Sequence, residues 1–172
     1  MTQLEQITQY MQTALASDNS GHSADHIDRV VALANKILIN EPMADPFIVR
    51  AAALLHDVYD DKLFNNASDV QLAKSHLKTF LSNISVSQDD ISRIFYIIDN
   101  MSWSKGIGGQ AQHLDINGQI VQDADRLEAV GAIAITRAIT YGAVKNRILY
   151  DPAIPPRIAQ NKAEYRNDDS TT

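Results

Sequence analysis

Residues 45–61 read Asp45-Pro46 followed by FIVRAAALLHDVYDD, and the fold follows from that stretch. Asp45 is suited to cap a helix N-terminus. Pro46 fits the first helical position, where its missing N–H costs nothing. The run behind them is apolar on nearly all sides until His56. A helix of that kind is usually the buried centre of a bundle, so other helices must surround it.

The rest of the chain supplies them. Leu4, Ile7, Met11 and Leu15 recur at three- and four-residue spacing and predict an amphipathic first helix, broken by Asp18-Asn19-Ser20-Gly21. A second helix is expected from about Ser23, with Ile27, Val30, Val31, Ala34, Ile37 and Leu38 inward. Ser68 with Gln71 resembles a capping box, opening a helix with Val70, Ala73, Leu77, Phe80 and Leu81 inside. Ser87 opens another, with Ile91, Ile94, Phe95 and Ile98 on one face. SKGIGGQ, residues 104–110, has no apolar period and is expected to be a mobile loop. From about Asn117 to Ala143 the pattern is helical again, with Gly131 placed to break it in two. No alternating run of useful length predicts a strand, and Asn117-Gly118 precedes a helix rather than joining two strands. The expectation is an all-α, single-domain bundle of six or seven helices over residues 1–150. An extended, proline-containing polar tail follows over residues 151–172.

Composition narrows the function. The chain has 172 residues, 45% hydrophobic and 21% charged, which suits one domain with a real core. Its net charge of -6 argues against broad nucleic-acid binding, which needs a dense Lys/Arg footprint. A small phosphorylated ligand is still allowed, because a metal or a few cations can reverse the potential inside a cleft. With no cysteine, thiolate chemistry and disulfides are excluded. The first residues, MTQLEQITQYMQTALAS, lack the pattern of a signal peptide, and no apolar run approaches the ~20 residues that span a bilayer. A soluble, cytoplasmic protein is expected.

Several polar groups sit where apolar ones would be expected. His56 and Asp57 end the most apolar stretch of the chain. A charged Asp beside a His at the end of a buried helix needs a partner or a metal, because unpaired buried charge is expensive. The plainer alternative is a C-terminal His on the helix dipole and a solvated Asp. Asp60 and Asp61 follow; if the helix runs on one more turn, His56 shares a face with Asp60, and Asp57 with Asp61. His26 lies on the inward side of its helix with Val30, as ligand or as core residue. Asp125, with Asp123 and Glu128, lies in an apolar helix, as functional acid or as polar face.

The strings GHSADHIDRV (21–30), AALLHDVYDDK (52–62), IVQDADRLEAVGAIAITRAITYG (120–142) and YDPAIPP (150–156) together resemble one bacterial branch of the HD superfamily of metal-dependent phosphohydrolases. The resemblance covers roughly residues 20–157 and implies an HD-type helical domain. The family pattern of a first His, an HD pair and a distant Asp matches His26, His56-Asp57 and Asp125. HDVYDD is also similar to the HDxxED string of stringent-response nucleotide hydrolases in the superfamily, with Asp60 replacing Glu. Similar proteins continue past the polar tail into further helices, whereas this chain stops at Thr172.

The resemblance implies one divalent ion held by those four residues. Two imidazoles and two carboxylates suit a six-coordinate ion with two positions open. Manganese or magnesium is implied; iron, cobalt and nickel are chemically allowed, and zinc is less favoured. His22, His76 or His113 could serve a second ion only by bringing extra ligands to the site. Asp60 and Asp61 are the acid–base candidates, with Asp61 slightly favoured. Arg29, Lys62 and Lys105 are candidate phosphate-binding cations, each with a plain reading as surface charge. Trp103 is a candidate wall for a base, though a core role is the stronger alternative, and the 104–110 loop a candidate lid. The implied activity is hydrolysis of a small nucleotide, a nucleoside triphosphate or similar, through a metal-activated water. The alternatives are a phosphodiesterase on cyclic or linear dinucleotides, or a non-catalytic nucleotide sensor. The implied partner is a small nucleotide, with no long nucleic acid and no membrane; a homodimer is allowed.

Overall fold

The computed structural model describes residues 1–16, 24–64, 66–102 and 112–154, without the side chain of Lys62. It is all-α: seven α-helices and no strand among the described residues. They are α1 (Gln3–Ala14), α2 (Ala24–Leu38), α3 (Pro46–Leu55), α4 (Ala67–Asn83), α5 (Gln88–Met101), α6 (Ile116–Glu128) and α7 (Ala132–Val144). A single 3₁₀ turn, Asp61–Leu63, follows α3.

Helix α3 is the centre of the bundle, as its composition requires. It packs against α1, α2, α5 and α6. Ile48, Val49, Ala51, Ala52, Ala53 and Leu55 are sealed from solvent. The three alanines let neighbouring helices approach closely, while Ile48, Val49 and Leu55 each contribute roughly 1.5–3 kcal/mol of burial, an upper estimate. Around them lie Ile7 and Met11 of α1, Ile27, Val30 and Ala34 of α2, Ile94 of α5 and Val121 and Ala124 of α6. Those on α1, α2 and α5 fall at the positions their spacing predicts.

The helix starts show what the sequence encodes locally. Asp45 caps α3, its Oδ1 accepting from the amides of Phe47 (2.9 Å) and Ile48 (3.3 Å), and Ser87 caps α5 by accepting from Asp90. The α4 start differs from the expected Ser68/Gln71 box. Asn66 is the cap, its side-chain oxygen accepting from the Asp69 amide at 2.9 Å, so Ser68 already lies inside the first turn. An Asn two residues upstream competes successfully because it serves equally well as an N-cap.

Asn117-Gly118 likewise lies in the first turn of α6 rather than before it, because Asp115 caps that helix by accepting from the Gly118 amide at 3.0 Å. Gly131 does break the long helical stretch. It adopts φ +83°, a left-handed conformation that glycine tolerates, and α6 and α7 meet there at a bend of 78°. Helix α7 exposes Ile133, Ile135, Ile139 and Val144. No single helix among the described residues is long and apolar enough to cross a membrane. Residues 103–111 and 155–172, which hold Trp103, the glycine loop with Lys105 and most of the expected tail, lie outside the described residues, as does His22.

Candidate metal centre

Three helices meet where the sequence places its candidate ligands. Helix α2 packs on α3 and α6, and α3 packs on α6. His26 projects from the first turn of α2, His56 is the C-cap of α3 with Asp57 next to it, and Asp125 lies in the last turn of α6. Two helix N-caps steady this crossing. The buried Asn117 of α6 accepts from the Asp45 amide at 2.7 Å and donates to the Asp115 carboxylate at 2.8 Å, so it ties the start of α3 to the start of α6.

The four predicted ligands converge. His26 Nε2 lies 3.7 Å from Asp57 Oδ2 and 3.4 Å from Asp125 Oδ1. His56 Nε2 lies 3.5 Å from Asp57 Oδ2 and 3.8 Å from Asp125 Oδ1. The atoms thus form a ring in which nitrogen and oxygen alternate. All four separations exceed the ~2.7–3.2 Å of an ordinary hydrogen bond. Atoms that each stand ~2.0–2.3 Å from one common ion sit roughly 2.8–3.8 Å apart, for angles between right and tetrahedral. The four adjacent separations fall within that range, and the donor atoms of His26, His56 and Asp57 all lie within 4.8 Å of one another.

The imidazoles are set up as ligands. His56 Nδ1 lies 2.9 Å from the Ala53 carbonyl, an acceptor only, so the proton is on Nδ1. That leaves the Nε2 lone pair facing the ring, and this buried nitrogen has no hydrogen-bond partner. A buried polar atom left in that state calls for an explanation, and a cation between the four groups provides one. His26 Nδ1 lies 3.0 Å from Glu128 Oε2, at a bent angle, and the two side chains are 1% and 2% exposed. The rings of His26 and His56 meet edge to face at 5.3 Å.

The charges in the site act strongly on one another. Burial opposes protonation of His56, but Asp57 and Asp125, helped by the Ala53 carbonyl and Asp60, outweigh it and raise its pKa. Burial pushes Asp125 up, but contact with His26 and the charge of His56 outweigh both that and repulsion from Asp57, so its pKa is lowered. The donor set, two imidazoles and two carboxylates with no sulfur, fits a first-row divalent ion or magnesium.

The acid pair after the motif is arranged differently from a continued helix. Helix α3 stops at Leu55, and residues 56–60 form tight turns, with the Val58 amide on the Leu55 carbonyl (3.2 Å) and the Asp60 amide on the Asp57 carbonyl (3.1 Å). Three aspartates would put negative charge on the negative end of the helix dipole, which favours stopping there. Asp60 and Asp61 are both half-buried, Asp61 opening the 3₁₀ turn. Asp60 is near enough to His56 to raise its pKa. Tyr59 fastens this turn to the bundle: its hydroxyl donates to Asp99 Oδ1 at 3.1 Å, its ring stacks on Phe95, and Lys74 pairs with Asp99 while lying over both rings. Burial and the Asp99 charge push the Tyr59 hydroxyl well above its usual range. Tyr59 is therefore spent on structure and does not offer a face to a base.

Arg29 sits one turn after His26 and is held by two carboxylates, Asp25 (2.7 Å) and Glu128 (2.7 Å). Two participants escaped the sequence reading. Glu128, taken there for a polar helix face, is buried and contacts His26, Arg29 and Arg137. The available signal was its spacing, three residues after Asp125 and so on the same face of α6. Arg137 reaches the site from α7 across the bend at Gly131, which no spacing rule indicates. His76 and His113 are exposed and supply no ligand to the ring.

Comparison with known proteins identifies the family. The HD domain family model matches residues 23–130, and the chain belongs to that family. It is 39% identical over 150 residues to Bacillus subtilis YpgQ, spanning 87% of this chain and 71% of YpgQ. A solved structure from Lactobacillus plantarum superposes with a TM-score of 0.87 at 42% identity, covering 98% of this chain and 76% of that one. YpgQ solved in complex with ADP superposes with a TM-score of 0.69 at 38% identity, covering 87% and 70%. An HD-superfamily hydrolase from Bacillus thuringiensis gives 0.63 at 34% identity, covering 94% and 76%. The fold is that of an HD-superfamily hydrolase, with His26, His56 and Asp57 as a candidate group for a divalent metal.

Proposed function

We propose that the protein is a metal-dependent phosphohydrolase acting on a small nucleotide, a nucleoside triphosphate or similar. The observation that carries this reading is the ring of His26, His56, Asp57 and Asp125 around one point, with His56 Nε2 buried and without a hydrogen-bond partner. These four residues would hold a manganese or magnesium ion, which when bound supplies Lewis acidity toward a phosphoryl oxygen and lowers the pKa of water. The protein's own groups do the rest. The Ala53 carbonyl keeps the His56 proton away from the ion. Asp60 or Asp61, Asp61 slightly favoured, would orient the attacking water or accept its proton. Arg29, held by Asp25 and Glu128, offsets their charge beside the ring, and it, Lys62 and Lys105 are proposed as the cations nearest the phosphate oxygens. The ADP complex of YpgQ supports a nucleotide as ligand.

The test is purified protein stripped of metal and reloaded separately with manganese, magnesium, iron, cobalt or nickel. It is then offered nucleoside mono-, di- and triphosphates, cyclic dinucleotides and oligonucleotides, with products resolved by chromatography. Metal-dependent release of phosphate or pyrophosphate from mononucleotides, with oligonucleotides inert, is expected. Cleavage of cyclic dinucleotides or oligonucleotides with triphosphates inert would replace the reading with a phosphodiesterase.

A further inference from the structure

Glu128 is one of five buried polar or charged residues among those described, and the proposed chemistry gives it no role. It ends α6, one turn beyond Asp125. Its carboxylate accepts from Arg29 Nε at 2.7 Å through Oε1, pairs with Arg137 Nη1 through Oε2, and lies 3.0 Å from His26 Nδ1. Two guanidinium groups and one imidazole nitrogen thus converge on this buried carboxylate. A carboxylate oxygen 3.0 Å from an imidazole nitrogen is an acceptor facing it, and so favours a proton on that nitrogen over a lone pair.

We infer that Glu128 is a positioning residue that holds the His26 proton on Nδ1, so that the Nε2 lone pair is presented to the metal. The inference rests on the metal reading of the ring. His56 and His26 then solve one problem in two ways. On α3 the Ala53 carbonyl fixes the tautomer from within the same helix. His26 sits in the first turn of α2, and the carboxylate oxygen that faces its Nδ1 comes from another helix, from Glu128 of α6, one turn beyond Asp125. Outer partners of this kind typically change metal affinity 10–100-fold when removed.

A merely structural role for Glu128 would leave the tautomer alone, so the tautomer is the first readout. Long-range proton–nitrogen correlation spectra of ¹⁵N-labelled, metal-free protein should show His26 protonated at Nδ1 and bare at Nε2. Glu128→Met keeps the volume and removes the acceptor. It should return His26 to a mixture of tautomers and weaken manganese binding by ~10–100-fold in calorimetry. Glu128→Gln keeps an acceptor oxygen without the charge, so it should keep the Nδ1 proton and lose affinity only several-fold. A folded Glu128→Met protein with wild-type tautomer and wild-type manganese affinity overturns the inference. If that variant does not fold, Glu128→Gln decides: affinity equal to wild type overturns it. If the wild type binds no manganese, the metal reading fails, while the tautomer comparison still decides whether Glu128 sets the His26 ring.

Discussion

Asn117 is the residue whose loss should be felt furthest from its own position. Its side chain is buried and joins two helix starts, accepting from the Asp45 amide at 2.7 Å and donating to the Asp115 carboxylate at 2.8 Å. The two bonds fix the amide orientation, since flipping it would face donor to donor and acceptor to acceptor. Asn117→Ala removes both. The Asp45 amide loses its acceptor at a half-buried site, which costs about 1–3 kcal/mol. The bond to the Asp115 carboxylate is charge-assisted, but Asp115 is exposed and water replaces much of that loss, leaving roughly 0.5–1 kcal/mol. The sum is about 1.5–4 kcal/mol, a large share of the ~5–15 kcal/mol that stabilises a typical domain.

Urea unfolding followed by circular dichroism measures this directly. The midpoint should fall at unchanged slope, and the thermal midpoint should drop by ~3–16 °C for a chain of this length. Because α3 and α6 carry His56-Asp57 and Asp125 at their far ends, manganese affinity should fall as well. Asn117→Asp discriminates further. It keeps an acceptor for Asp45 but places a carboxylate against Asp115, so it should be destabilising at neutral pH and partly relieved by acid. An Asn117→Ala protein within 0.5 kcal/mol of wild type would show that the two caps stand independently, and the argument for a coupled frame would fail.

Divalent metal should stabilise the fold by about 2.7 kcal/mol at a hundredfold excess over its dissociation constant, and Asp57→Ala should abolish the calorimetric shift; a shift that survives in Asp57→Ala places the ion elsewhere. Asp60→Asn and Asp61→Asn should each keep the metal-induced shift while slowing turnover by ~10²–10⁴ if they handle the proton; wild-type turnover in both would reduce them to a structural turn. Asp115→Ala should cost about 1 kcal/mol as a lost cap. That difference should depend on pH in one direction. Burial opposes the Asp115 charge, but the Gly118 amide, Asn117 and Arg93 outweigh it and hold its folded pKa below the unfolded value. Its contribution is therefore complete above about pH 4–5 and lost as pH falls through the folded pKa; a gap between wild type and variant that widens in acid would contradict the assignment.

Much of this architecture was legible because local rules and burial agree. Asp45-Pro46 and Ser87 announce helices that the structure begins at those residues, and the apolar run 47–55 is the central helix its composition demands. Leu4, Ile7, Met11 and Leu15 fail only in degree, Leu4 being partly covered. The α4 start was misread because two cap patterns lay two residues apart, and sequence spacing does not weigh one against the other. The four candidate ligands were matched by resemblance. Residue by residue each had a bland alternative, and only the crossing of three helices distinguishes them. Glu128 shows the limit most clearly. An acid on an otherwise apolar helix looks solvated until α2 and α7 are seen to cover it with Arg29 and Arg137.

The burial of the ring has its own gradient, and it bears on how a substrate would enter. His26, His56 and Asp57 side chains are 1%, 4% and 9% exposed, whereas Asp125 is 34% exposed. Three of the candidate ligands are therefore buried, while Asp125 is the most exposed of the four among the described residues. If the proposed function holds, a phosphate would meet the ring at Asp125 first. Two carboxylates on that path would repel an anion, so the site can accept one only when cationic charge is already in place. A divalent ion supplies two positive charges to offset Asp57 and Asp125. Arg29 is already committed to Asp25 and Glu128, and so contributes little beyond cancelling them. A bound ion would thus have an electrostatic role before any bond is polarised. Metal binding and nucleotide binding should be thermodynamically linked, each strengthening the other by the same factor.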